Sequence, residues 1–163
     1  MFDITKLREL EKELRESRQC YYDLVEGVNS IVLRMNVDGT ITFINRFAEE
    51  FFGYSRDELI GQNLVGKIVP KMESTGRDLE EMILEIGKKP EKYRNNINEN
   101  VRKNGERVWV LWTNRPVFDE QGHVVEIMCI GNDFTEQKKA AEALRSMRAR
   151  ASGSSSRADT SST

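Results

Sequence analysis

The chain has 163 residues, 38% hydrophobic and 32% charged, with a formal net charge of −2. These numbers suit one globular domain with charged appendages and give no general attraction to nucleic acid or an anionic membrane. No apolar run approaches the ~18 residues of a membrane span, and Met1-Phe-Asp-Ile-Thr-Lys6 lacks the basic-then-apolar pattern of a signal peptide, so the expected location is the cytoplasm.

Residues 1–28 are highly charged with sparse apolar positions. Leu7, Leu10, Leu14, Tyr21, Leu24 and Val28 fall at spacings of three and four, with Ser17 holding the missing step. This is a heptad seam. So narrow a stripe cannot bury itself in a monomer and calls for a partner helix, expected from a homodimer.

Residues 29–134 read as the globular domain. Residues 31–36 predict a strand, Asn36-Val-Asp-Gly39 a turn and residues 40–44 the return strand. Asn45 stands at a helix N-cap. Phe47, Phe51 and Phe52 lie at helical spacing, with Gly53 as the stop. Ser55-Arg-Asp-Glu58 is a capping box for a second short helix. Residues 76–89 predict one longer helix with Leu79, Met82, Ile83 and Ile86 on one face. Residues 93–102 form a polar strand, Asn104-Gly105 turns the chain, residues 107–118 form the strongest strand, and residues 123–132 the last. Hairpin-linked strands interleaved with short helices define an α+β fold.

A C-terminal helix is expected over residues 135–150, with Gln137, Ala140, Leu144 and Met147 as a second seam. Residues 151–163 are serine-rich, lack core-forming side chains and are expected to be disordered.

Motifs for catalysis are missing. His123, the only histidine, follows a turn, so neither a histidine-rich metal site nor a nearby cysteine–histidine pair is available. Cys20 and Cys129 are the only cysteines and fit reduced thiols. No phosphate-cradling glycine loop occurs. The chain is expected to catalyse nothing and to bind no metal.

The order Ile41-Thr-Phe-Ile-Asn45, Phe51-Phe-Gly-Tyr-Ser55, Gly61-Gln62-Asn63 and Asp133-Phe-Thr-Glu136 resembles that of a PAS domain, over residues 24–144. The resemblance implies a five-stranded antiparallel sheet with short helices over one face, flanked by coiled-coil-like helices. It implies a sensor of bacterial or archaeal signalling proteins, such as two-component phosphorelay kinases. The output domain, a kinase, cyclase or phosphatase, would be supplied in cis or in trans. Flavin-binding photosensory members carry a reactive cysteine after Gly-x-Asn; here Leu64 takes that place, which argues against thiol-adduct photochemistry. No histidine lies in residues 76–89, which argues against the usual axial ligand for haem. The cofactor stays unknown, and non-covalent flavin adenine dinucleotide in a redox sensor stays open.

Matching strands to the family turns Val108, Val110, Trp112 and Asn114 inward, with Asn98, Asn100, Ile127, Cys129 and Gly131. With Phe47 and Phe51, the expected ligand pocket is therefore Asn98, Asn100, Val110, Trp112, Asn114, Ile127, Cys129, Phe47 and Phe51. The opposite face, with Val101, Trp109 and Leu111, is expected to pack against the N-terminal helix. Inward amides need partners, because an unpaired one costs about 1–3 kcal/mol. A polar ligand could supply them, or backbone groups and trapped water could. Asp133 and Thr135 are expected to cap the C-terminal helix and tie it to the sheet, forming the signal junction. A ligand-free dimerisation and spacer module fits the same seams without a pocket.

Overall fold

The computed structural model describes residues 4–27 and 29–160. Val28, the last expected seam position, lies outside the described residues, as do residues 161–163 of the tail.

The elements run α1 (Ile4–Gly27), β1 (Ile31–Asn36), β2 (Ile41–Ile44), α2 (Arg46–Phe52), α3 (Arg56–Leu59), α4 (Leu79–Lys88), β3 (Asn95–Val101), β4 (Arg107–Phe118), β5 (Val124–Asp133) and α5 (Thr135–Thr160), with one 3-10 turn, Pro90–Tyr93, before β3. The strands form one sheet in the order β2-β1-β5-β4-β3, every neighbouring pair antiparallel. β2 and β3 follow one another in sequence yet lie at opposite edges. The chain between them must therefore cross one face of the sheet, and it carries α2, α3 and α4 across.

Local chemistry sets the turns and caps. The Asn36 carboxamide accepts from the N–H groups of Asp38 and Thr40 at 3.1 Å each, and Gly39 takes φ +92°, which a side chain would resist. Fully buried Asn45 caps α2 by accepting from Ala48 N–H at 3.0 Å and also accepts from Val32 N–H at 3.1 Å. One side chain thus fixes the helix start to the neighbouring strand. Ser55 caps α3 as expected.

The long helix begins three residues later than predicted, because Gly76 adopts φ +92° in a turn and Asp78 supplies the cap to Glu81 N–H. Its apolar face is the one read from the spacing: Leu79, Met82, Ile83 and Ile86 are buried. They meet Ile31, Leu33, Met35, Val110 and Ile127 of the sheet together with Phe52 and Leu59 in a single core. Each such side chain contributes about 1.5–3 kcal/mol on full burial.

Two expectations about the flanks change. Helix α5 continues to Thr160, through the serine-rich stretch expected to be disordered from residue 151. A helix already nucleated adds one backbone hydrogen bond per residue fixed, and no proline interrupts this one. Among the described residues, helix α1 meets β1 rather than being seen on Trp109: its Tyr21 hydroxyl bonds Arg34, whose guanidinium also lies 5.4 Å from the Tyr21 ring centroid. Trp109 is faced by the start of α5, with the Lys138 ammonium 4.7 Å from its ring centroid. The ring is reached first by the helix that leaves the adjacent strand.

Candidate functional site: interior cavity and helix junction

Alternation in β4 sorts side chains as predicted: Val108, Val110, Trp112 and Asn114 are buried on the helix-covered face. Asn98, Asn100, Ile127 and Cys129 are buried as well. Between sheet and helices lies a cavity of about 20 Å³. The sheet supplies Leu33, Met35, Asn96, Asn98, Trp112, Asn114 and Cys129, while Leu64, Ile68, Val69, Met82, Ile83 and Ile86 form the opposite wall. One water needs about 10–15 Å³ of such space, whereas pockets for drug-sized ligands run to about 300–1,000 Å³.

Of the expected pocket residues, Asn98, Trp112, Asn114 and Cys129 reach the cavity wall. Asn100, Val110 and Ile127 do not; they lie fully buried in the packing. Phe47 and Phe51 are a correction. In α2 the i, i+4 pair Ala48 and Phe52 takes the core face, which leaves Phe47 and Phe51 half-buried and stacked on each other at 6.2 Å. Phe51 lies instead beneath the Arg102 guanidinium, 4.6 Å from ring centroid to charge.

The inward amides form a connected ladder. Asn96 donates to Asn98 Oδ1 at 2.9 Å, Asn98 donates to Asn100 Oδ1 at 3.2 Å, and Asn100 donates to the Ile68 carbonyl at 3.1 Å. Trp112 Nε1–H donates to Asn100 Oδ1 at 3.1 Å, and Asn114 donates to the Tyr93 carbonyl at 2.8 Å. Backbone and side-chain groups therefore occupy the amides. The Trp112 ring packs over Gly131, where a Cβ would stand 2.7 Å from Cζ3. Trp112 is thus core and cavity wall together. Burial of Cys129 pushes its thiol up to about 12, so it stays neutral at ordinary pH.

Several wall residues were missed in the sequence. Asn96 shares the parity of Asn98 and could have been found by it. Ile68 and Val69 lie in a stretch with no periodicity to read.

At the junction, Asp133 Oδ1 accepts from Thr135 N–H at 3.0 Å and from the Thr135 hydroxyl at 2.6 Å. Bonding two residues ahead makes this an Asx turn rather than a bond into the helix's second or third residue. The Thr135 oxygen also accepts from Trp109 N–H at 3.0 Å, and Phe134 N–H donates to the Trp109 carbonyl at 2.7 Å. The first residues of α5 are therefore hydrogen-bonded to β4 at Trp109, two positions from Leu111 and three from Trp112 on the same strand. Thr135 braces the strand, not only its own turn.

Both helical seams are open to solvent. Leu10, Leu14 and Leu24 of α1 are 54%, 55% and 65% exposed, and Leu144 and Met147 of α5 are 49% and 66% exposed. Among the described residues, no helix is long and apolar enough to cross a membrane, and no cluster of candidate metal ligands occurs.

A five-stranded antiparallel sheet holding a small interior under short helices, with helices leaving both ends, is the architecture of a sensory α+β module. The PAS domain profile matches residues 28–136, and the chain belongs to the PAS domain family. It is 26% identical over 145 residues to the two-component sensor PprA of Pseudomonas aeruginosa, a match covering 87% of this chain and 15% of that protein. The chain thus spans a small part of that relative's length. Among solved structures it resembles an RNA-binding light-oxygen-voltage receptor, with TM-score 0.66 and 17% identity, covering 81% of this chain and 37% of that one. It also resembles a PAS domain from Colwellia psychrerythraea, with TM-score 0.59 and 21% identity, covering 73% of this chain and 97% of that one. At such identities the structures share the fold alone.

Proposed function

We propose that this chain is a sensory and relay module that reads a small molecule or a redox state in its interior. It passes the result through α5 to an output domain in cis or in trans: a kinase, cyclase or phosphatase. The two-component sensor similarity supports the kinase class. The observation that carries the reading is the tie between Thr135 and Trp109 N–H. The strand that supplies Trp112 and Asn114 to the cavity also anchors the first turn of the outgoing helix. A shift of β4 is thereby delivered to α5, and a ligand biases the equilibrium by its differential affinity for the two arrangements. The exposed seams fit a homodimer that carries the shift across paired helices.

A chimera tests this: α5 joined in heptad register to a histidine-kinase output domain. Relay predicts autophosphorylation that Thr135→Val shifts by about 5–150-fold, the range of typical allosteric coupling. Activity equal in both chimeras would remove the relay reading.

A specific observation favours a second reading, a ligand-free dimerisation and spacer module: the cavity holds about 20 Å³ and its amides are already bonded. Native mass spectrometry separates the two. A retained small molecule supports sensing, and a flavin mass would identify the redox sensor. A bare dimer, with no thermal shift from a metabolite library, supports the spacer.

A further inference from the structure

The two parts of the non-sheet wall, Leu64 to Val69 and α4, are joined by residues 70–78, which fold back on themselves as a small hairpin. Met72 bridges Asp78, and Glu73 N–H donates to the Arg77 carbonyl at 2.9 Å. Ile68 and Val69 enter this strap, and α4, with Met82, Ile83 and Ile86, leaves it. The strap is thus the link along which the non-sheet wall of the cavity runs.

It lies along β3, an edge strand of the sheet. An edge strand presents free backbone groups, and the strap takes them up. Glu73 Oε2 accepts from Glu99 N–H at 3.2 Å, and Arg77 donates to the Ile97 carbonyl at 3.2 Å. Glu99 has outward parity, yet it is only 4% exposed because the strap covers it. Its carboxylate accepts from Ser74 N–H at 3.0 Å, from the Ser74 hydroxyl at 2.7 Å and from Arg107 Nη1 at 2.6 Å. Arg107 reaches on to the Met72 carbonyl at 3.3 Å. The strap is fastened by polar groups. The far end of α4 is fastened by close packing, with Gly87 so near the Val37 carbonyl that a Cβ there would lie 1.9 Å from its oxygen.

We propose that residues 70–78 are a gate to the interior, latched by Glu99 with Ser74 and Arg107, and that its release swings α4 away from β3, with Ile68 still held by Asn100 and Val101, and opens the cavity along the sheet edge. Polar ties along the strap and close backbone packing at the far end of α4 make a latch and a hinge. Local opening of this kind uses the least apolar attachment of an element. The consequence for ligand entry rests on the sensory reading above; the gate itself does not.

Cys129 is the built-in reporter. Its thiol lines the cavity, is buried, and is held neutral in the closed state. It reacts only when the interior opens. In a Cys20→Ser background, labelling by methyl methanethiosulfonate is followed by mass as a function of urea. Gate opening exposes little surface and gives a rate nearly independent of urea, whereas global unfolding gives a steep dependence. We expect a urea-independent labelling rate that Glu99→Gln raises at least ten-fold. Val32→Ala, a core change on β1 away from the strap, should raise only the urea-dependent component. Arg107→Gln carries the same test should Glu99→Gln fail to fold. If the latch variants accelerate labelling only through the urea-dependent component, residues 70–78 are a fixed structural cover and the gate is refuted. No ligand enters the assay, so a domain without a ligand still answers it.

Discussion

Replacing Asn100 with leucine tests whether the inward amides are scaffold. Asn100 is fully buried and makes three bonds: to the Ile68 carbonyl, from Trp112 Nε1–H and from Asn98. Two of the partners keep alternatives. The Ile68 carbonyl still accepts from Val101 N–H at 2.8 Å, and Asn98 still donates to the Glu99 carbonyl at 3.0 Å. The indole N–H of Trp112 is left buried without an acceptor, at about 1–3 kcal/mol, and the two shared bonds add about 0.5–1.5 kcal/mol each. The sum is roughly 2–6 kcal/mol, centred near 4, a large part of the roughly 5–15 kcal/mol that holds a domain. Asn114→Leu removes one bond, to the partly buried Tyr93 carbonyl, and should cost about 1 kcal/mol. Urea unfolding with unchanged slope checks both. For a chain of this length, about 4 kcal/mol lowers the melting temperature by roughly 8–16 °C. Asn100→Leu within 1 kcal/mol of the parent, or no worse than Asn114→Leu, would refute the scaffold argument.

Gly87→Ala should destabilise by about 3 kcal/mol or displace α4, since the clash is with Val37 backbone that no side-chain rotation relieves; calorimetry and the chemical shifts of residues 36–39 would register it. Leu10→Asp with Leu14→Asp should turn a homodimer into a monomer by light scattering, and an unchanged dimer would move the interface off α1. Glu99 bears on pH. Burial alone would raise its carboxyl, but hydrogen bonds from Ser74 and Arg107, with the Arg107 charge, outweigh it and hold the group below its ordinary value. A depressed carboxyl contributes stability above the unfolded-state value that is lost as pH falls through the folded one. Acid unfolding of Glu99→Gln should therefore depend less on pH below about 4.5 than the parent does.

The sequence was most legible where one chemical rule decides a position. Asn45, Gly53 and Ser55 are read from capping alone, and the 107–118 strand from alternation. The inward parity of Trp112 and Asn114 came through the family resemblance, and the burial pattern agrees. Phe47 and Phe51 misled because helical spacing names two candidate faces, and only packing decides that Ala48 and Phe52 take the core. Glu99 was not legible at all. Its parity points outward, and its burial depends on a strap whose irregular backbone leaves no period. The serine-rich end reads as disorder from composition, while the helix there is carried on from residues before it.

Coupling of β4 to α5 through the Thr135 hydroxyl is open to hydrogen–deuterium exchange on Thr135→Val. Losing the hydroxyl frees Trp109 N–H and one Asp133 bond, worth about 1–3 kcal/mol, too little to unfold the domain but enough to release a helix start. Faster exchange is expected only in residues 134–144 and the amide of Trp109, with β1, β3 and the rest of β4 and β5 as protected as in the parent; Asp133→Ala should give the same pattern. Unchanged exchange in residues 134–144 would contradict the coupling, and loss of protection throughout the sheet would make Thr135 a core stability residue instead.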